Sequence, residues 1–230
     1  SYPCPPRTMF RGGEELRPAH RLRVRAGRGP DTPERYWRAP FVPRGEHLRI
    51  SRRDAEMELR ARLREKVEDH LQADVPVATF LSGGLDSSVI TALTAEVRGA
   101  PPETFSIGFT SAEHDERSHA EVVARCLGAR HHVIECGPET AELYPDVVYQ
   151  TELPLQYPLA LPLMRLSALV RERGFPVVLT GEGADEQLAG YDCYRSERLR
   201  RALDRRGTRW LKPAVYRRLY HWLGSPAGID

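Results

Sequence analysis

Lysine is almost missing from this chain: of 34 basic residues only Lys66 and Lys212 are lysines, a compositional bias toward arginine with no chemical message of its own. Cysteine is sparse as well. The four present, Cys4, Cys126, Cys136 and Cys193, show no Cys-x-x-Cys spacing, which excludes a zinc ribbon or a thioredoxin-type redox pair. Free thiols in a reducing, cytoplasmic setting are therefore expected. No uninterrupted apolar run approaches the length needed to cross a bilayer, and nothing resembles a secretory leader, so no membrane partner is expected. A strong charge of one sign is absent too, with a formal net charge of +2. The arginines gather in residues 1–53 and 195–230 and leave an acidic middle, so no basic face is offered to a nucleic-acid backbone. Hydrophobic residues make up 40% of the 230 positions, enough for a buried core and too many for a disordered chain.

What is present is concentrated in the octet Leu81-Ser82-Gly83-Gly84-Leu85-Asp86-Ser87-Ser88. It follows the apolar run 75–80 and precedes a helix-like stretch at 89–97. Adjacent glycines let the backbone turn tightly and approach an anion, and the helix behind them aims N–H groups and positive dipole at the bound charge. Ser82, Ser87 and Ser88 add hydroxyl donors, and Asp86 suits a magnesium ion that neutralises phosphate oxygens. No lysine follows the glycines, so the Gly-Lys-Ser/Thr ending of the common nucleotide P-loop is not met. The loop is better matched to a departing pyrophosphate than to γ-phosphoryl transfer. Set against this, a bare Ser-Gly-Gly is only a turn after a strand; the eight-residue context favours a nucleotide site.

Residues 1–53 are rich in Pro, Gly and Arg, and Leu22-Arg23-Val24-Arg25 suggests an edge strand, the tail of another unit. From Asp54, Leu59, Leu63, Val67 and Leu71 mark one face of an amphipathic helix ending near Ala73. The following pattern reads as strand 75–81, helix 86–97, strand 104–109, helix 113–127, strand 132–136, helices 139–149 and 161–173, and strand 176–180. Such alternation predicts an α/β fold, a twisted parallel sheet with helices on both faces. Its ligand belongs at the carboxyl ends of the strands, where the loops after Leu81, Phe109 and Thr180 converge. Trp210, Leu211, Val215, Leu219, Trp222 and Leu223 outline a further helix whose apolar face is expected to dock on protein rather than membrane.

Thr180-Gly181-Glu182-Gly183-Ala184-Asp185-Glu186 forms a second glycine loop after the apolar Val177-Val178-Leu179. Asp86 and Asp185 make a candidate pair of magnesium ligands, since that cation takes one or two carboxylates and completes its shell with water and substrate. Glu182 is left for acid–base or positioning work. The plainer alternative is a turn whose acids face a helix dipole. His131 and His132 alternate across a strand, which predicts one packed and one exposed, neither catalytic.

These motifs, together with Ser106-Ile107-Gly108-Phe109, Leu127-Gly128-Ala129-Arg130-His131-His132 and Glu152-Leu153-Pro154, resemble in kind and order the ATP-pyrophosphatase domain of glutamine-hydrolysing asparagine synthetases. Thr8-Met9-Phe10, Leu16-Arg17-Pro18-Ala19-His20 and Tyr36-Trp37 are similar to the closing strands of that family's glutaminase domain. The resemblance implies an adenine nucleotide alpha hydrolase-like (PP-loop) fold. It divides the chain into a glutaminase tail and linker at 1–53 and a synthetase domain at 54–230 that continues further in the family. It implies that Ser82, Gly83, Gly84, Asp86, Ser87 and Ser88 bind the pyrophosphate of ATP and its Mg2+. Leu81 and Ile107 meet adenine through backbone groups, Thr180 and Gly181 line the pocket, Asp185 is the second metal ligand, and Glu182 supports the acyl-adenylate step. The implied reaction converts aspartate, ATP and ammonia, released from glutamine, into asparagine, AMP and pyrophosphate through β-aspartyl-AMP, in a homodimer. No glutaminase nucleophile is assigned, because Cys4 is internal and precedes two prolines. Gln187-Leu188-Ala189-Gly190-Tyr191 departs from the family's Leu-Phe-Gly-Gly-Tyr, and Glu152-Leu153-Pro154 from its Asp-Asp-Pro, a change that bears on the acceptor acid. Two rivals follow: a β-lactam-forming or peptide-cyclising synthetase on the same scaffold, and a non-catalytic nucleotide-binding piece.

Overall fold

Short β-branched and aromatic runs, spaced by amphipathic stretches, pair as the alternation requires. A computed structural model describes residues 4–111, 115–153 and 159–203. In chain order the elements are β1 (His20–Arg21), β2 (Glu34–Arg35), α1 (Arg52–His70), β3 (Val77–Phe80), α2 (Leu85–Arg98), β4 (Glu103–Phe109), α3 (Arg117–Cys126) and β5 (Arg130–Cys136). A 3-10 segment (Pro138–Leu143) then leads into α4 (Tyr144–Thr151), α5 (Ala160–Glu172), β6 (Val177–Leu179), α6 (Ala184–Leu188) and α7 (Asp192–Leu203). The main sheet has the order β5-β4-β3-β6, with every pairing parallel.

The chain steps from β3 through β4 to β5 on one side, then crosses back to place β6 on the other side of β3. Right-handed crossovers therefore put α5 on the face opposite α3. The packing agrees. Ala78 and Phe105 meet Leu166 and Val170 of α5, whereas Leu81 meets Ala120 and Ala124 of α3. Beneath α2 the sheet is lined by buried threonines: Thr91 Oγ1 donates to the Ser87 carbonyl at 2.8 Å and lies 3.2 Å from Thr79 Oγ1. These hydroxyls are satisfied locally, so a polar layer is tolerated inside the core.

Several boundaries differ from expectation. Residues 22–25 lie outside β1, which pairs antiparallel with β2 two residues earlier than the alternation suggested; among the described residues no second layer covers Leu22 and Val24, which are exposed. The expected helix from Asp54 begins at Arg52, capped by Ser51, whose hydroxyl accepts from the Asp54 N–H at 3.2 Å. Of its apolar face only Val67 is fully buried; Leu63 and Leu71 are half-buried and Leu59 is exposed. The expected helix over 139–149 is two pieces. Pro145 lacks the N–H that would bond back one turn, so the 3-10 segment ends and α4 restarts around it. Helix α3 begins at Arg117, so the expected helix does not take in Asp115 and Glu116; the Asp115 carboxylate instead accepts from the N–H groups of Phe109 and Arg117, and residues 112–114 lie outside the described residues.

His131 and His132 do point to opposite faces, yet neither is exposed. Helices cover both sides of a parallel sheet, so alternation here does not separate core from solvent. His132 stacks on Phe105 with centroids 4.8 Å apart and bonds Glu103 through Nε2, while His131 Nδ1 meets Thr104 Oγ1 at 2.8 Å. The apolar stripe from Trp210 to Leu223 lies outside the described residues.

Candidate nucleotide site

Two loops leave adjacent strands at the carboxyl edge of the sheet, one after β3 and one after β6. In the first, Gly83 takes φ +85°, a left-handed conformation that side chains disfavour. Its missing Cβ serves packing rather than anion approach: a methyl there would sit 2.5 Å from the Ala120 nitrogen and 2.6 Å from the His119 carbonyl carbon, at the start of α3. Gly84 is extended and forms the N-terminal boundary of α2, whose first turn has no side-chain cap. Its open N–H groups are what an anion requires.

The loop hydroxyls are already ordered. Ser87 Oγ accepts from the Ser82 N–H at 3.2 Å and lies 2.9 Å from Ser82 Oγ, and Ser82 Oγ accepts from the Gly84 N–H at 3.3 Å. Ser88 Oγ turns back to the Gly84 carbonyl at 2.6 Å. Ser82 and Ser87 thus face the cavity, whereas Ser88 stabilises the first helical turn.

The second loop closes against the first at Gly181. A methyl on Gly181 would lie 2.7 Å from the Ser87 nitrogen and 2.9 Å from the Asp86 carbonyl carbon, so only glycine lets the loops touch. The Glu182 N–H is turned toward Thr180 Oγ1, 3.4 Å away. Gly183, at φ +89°, starts α6, which carries Asp185. Gly190 packs directly on the Asp185 carboxylate, where a Cβ would collide with Oδ1.

Between the loops opens a cavity of about 610 Å³, a size ordinary for small-ligand sites. Leu81, Ser82, Gly84, Asp86, Ser87, Ile107, Thr180, Gly181, Glu182 and Asp185 all line it. Gly83 and Ser88 do not, for the packing reasons given. The backbone of Leu81 is engaged: its N–H donates to the Phe105 carbonyl at 2.9 Å, and its carbonyl accepts from Ser106 Oγ. Ile107 differs. Phe105 bonds toward β3, so Ile107, two residues on, directs its backbone to the same side, past the end of that strand and toward the cavity it lines.

Phe109 lines the cavity too, as the convergence of strand ends predicted, and so does Glu186 of the second glycine loop; lining residues that sequence reasoning missed are Glu116, Leu159, Leu163 and Tyr191 among others. Glu116 was within reach of it, since Asp115-Glu116 follows the Phe109 strand end at the same sheet edge. It is set in place by its neighbours. Arg117 Nε bonds both oxygens of Asp115, Nη1 reaches Glu135 at 2.7 Å and Nη2 reaches the Phe109 carbonyl at 3.3 Å. Desolvation pushes the Asp115 carboxyl up, but hydrogen bonds from Arg117 and the Phe109 N–H outweigh it and hold the group below its usual range. Tyr191 Oη donates to Glu186 at 2.9 Å, and that bond, with desolvation and the nearby carboxylates, pushes the phenol up to about 12.

Among the described residues no three His, Cys, Asp or Glu side chains cluster as a self-sufficient metal site. Magnesium does not need one. Asp86 and Asp185, hard oxygen donors on facing loops brought together by the bare Gly181, fit a cation that completes its shell with phosphate and water. Among the described residues no helix is long and apolar enough to cross a membrane.

The chain is similar in sequence to known proteins. The chain is 32% identical to Amidase chyE of Penicillium rubens over 84% of its own length and 31% of that protein. It is 35% identical to a putative glutamine-hydrolyzing asparagine synthetase of Mycobacterium tuberculosis, over 84% of this chain and 29% of that one. Asparagine synthetase [glutamine-hydrolyzing] 1 of Bacillus subtilis is 31% identical, over 83% and 29% respectively. The chain therefore spans about a third of the length of these curated relatives. The family described as Asparagine synthase matches residues 58–225, a span that holds both glycine loops and every wall of the cavity, and the chain belongs to that family.

Proposed function

We propose that the cavity binds ATP and activates a carboxylic acid, making this chain the adenylating part of an ATP-dependent amide-forming ligase. The observation that carries the proposal is the contact of Gly181 with Asp86 and Ser87, which joins an uncapped helix N-terminus to a second carboxylate-bearing loop at one cavity. In this reading the pyrophosphate of ATP lies on Ser82, Gly84 and Ser87, with Gly83 and Ser88 holding the loop in shape. Adenine meets the backbone of Ile107. Leu81 shapes the floor, since its N–H is spent in the sheet. Asp86 and Asp185 hold Mg2+, which when bound neutralises phosphate charge.

Written for aspartate, the acid of the family's name, the side-chain carboxylate attacks the α-phosphorus and pyrophosphate leaves with the bonding pair. Ammonia, drawn from glutamine, then attacks the acyl carbon, AMP departs, and Glu182 takes the proton released from nitrogen. Open N–H groups at the start of α2 stabilise charge that grows on the leaving pyrophosphate, which is where such donors accelerate a reaction. The same reading divides the chain near residues 53 and 54 into a glutaminase tail and a synthetase domain.

Titration calorimetry with ATP and magnesium tests the site. Asp86→Ala is expected to abolish magnesium-dependent ATP binding while the thermal midpoint changes little. Equal affinity in variant and parent refutes it.

A further inference from the structure

Glu116 lines the cavity at the N-terminal boundary of α3, and its side chain makes no capping bond to that helix. The backbone around it is tied on two sides. Its carbonyl accepts from the N–H groups of His119 at 3.0 Å and Ala120 at 3.3 Å. That same Ala120 nitrogen is the atom on which Gly83 packs, 2.5 Å from where a Cβ on the glycine would stand. On the other side the Asp115 carboxylate accepts from the Phe109 N–H at 3.4 Å and the Arg117 N–H at 3.2 Å. Glu116 is thereby held to the glycine loop through one neighbour and to the end of β4 through the other. The adjoining guanidinium, that of Arg117, bonds Asp115 and Glu135 instead.

We infer that Glu116 accepts hydrogen bonds from the ribose hydroxyls of the bound nucleotide and makes the site select ribonucleotides over deoxyribonucleotides. The inference rests on the nucleotide reading above and adds a specificity-determining residue to it. In that reading the phosphates lie on the loop after β3 and adenine meets Ile107 of β4, the strand paired in parallel with β3. The ribose joins these two parts, so it passes between the glycine loop and the end of β4, the two features that Glu116 bridges. Its hydroxyls are neutral donors, and a carboxylate is the acceptor that binds such donors most strongly. An acid placed after the strand that follows a glycine loop serves the ribose of dinucleotides in the same way.

The test uses the full chain. Titration calorimetry with magnesium compares ATP, 2′-deoxy-ATP, 3′-deoxy-ATP and inosine triphosphate in the parent and in Glu116→Ala, a change at an exposed position that is expected to leave the thermal midpoint in place. The parent is expected to bind ATP about tenfold more tightly than the weaker deoxy analogue, because a site built to bond a hydroxyl rejects the ligand that lacks it. Glu116→Ala is expected to bring that ratio to about one. The ratio is the readout because removing a carboxylate also relieves repulsion of the triphosphate, equally for every nucleotide. Equal affinity of the parent for ATP and both deoxy analogues overturns the inference and leaves the nucleotide site standing. A ribose preference that survives in Glu116→Ala overturns it too. So does a variant that loses its discrimination between ATP and inosine triphosphate instead, which would put the carboxylate on the adenine amine. Absence of ATP binding in the parent overturns both the inference and the reading beneath it.

Discussion

Replacing Gly181 by alanine isolates the contact on which the site depends. The backbone there is outside the left-handed region, so alanine adds no conformational strain of its own. Its methyl, however, would lie 2.7 Å from the Ser87 nitrogen, 2.9 Å from the Asp86 carbonyl carbon and 3.0 Å from Asp86 Cβ. Ordinary carbon contacts are about 3.5–4.0 Å, so one loop must retreat by roughly 0.7 Å or more. Overpacking of this kind costs about 1–3 kcal/mol. If the strain is relieved only when the loops part, that energy is lost from nucleotide binding, weakening ATP about 5- to 150-fold. Gly183→Ala is the companion variant: it meets nothing within 4 Å but sits at φ +89°, so it carries backbone strain without wedging the loops. Calorimetric affinities and thermal midpoints of both variants separate the effects. Gly181→Ala is expected to lose far more affinity than Gly183→Ala for a similar or smaller loss of stability. ATP affinity within twofold of the parent in folded Gly181→Ala would refute the coupling.

Two further outcomes follow from charged groups near the sheet. His131 has a buried Nε2 without a partner, and burial lowers its pKa below 6.5, aided by His132 and opposed by Glu121. As pH falls through 6.5 the unfolded chain takes its proton first, so this stability is complete above that value and is lost on acidification. Urea midpoints between pH 7.5 and 5.5 should fall more steeply for the parent than for His131→Gln, and parallel curves would contradict the assignment. Asp115 is held below its ordinary value, so its contribution is present above about pH 4 and disappears as the carboxylate protonates. Arg117→Met is expected to lower the thermal midpoint at neutral pH and to narrow its gap from the parent at pH 3, and a gap independent of pH would refute the clamp.

The order of strands and helices was legible because β3, β4 and β6 are short runs rich in β-branched and aromatic residues and the covering helices α2, α3 and α5 each have a buried stripe. The errors sit where local chemistry overrides periodicity. Residues 139–149 carry helical spacing, yet Pro145 breaks the hydrogen-bond ladder. Asp115 and Glu116 read as part of a helix, yet Asp115 captures the N–H groups of Phe109 and Arg117. The histidine pair misled because alternation implies that one of two neighbours is wet, whereas here both rings find partners, His132 on Phe105 and Glu103 and His131 on Thr104. Both glycine loops were legible as motifs, but their division of labour was not. That Gly83 serves helix packing, and that Ser88 turns inward while Ser82 and Ser87 line the cavity, depends on where α3 crosses, a contact between residues more than 30 positions apart in sequence.

Topology explains why the two loops meet at all. In the order β5-β4-β3-β6 the chain leaves β3 toward β4 and returns on the opposite flank as β6, so the loops after β3 and β6 diverge to different faces and a crevice opens between them. A crevice of this origin would be loosely held, since β6 is three residues long and lies at the sheet's edge. Gly181 supplies what the short strand does not, direct contact between the backbone of one loop and that of the other. The position of Asp185 relative to Asp86 is then set by that contact and by Gly190 beneath Asp185, rather than by β6.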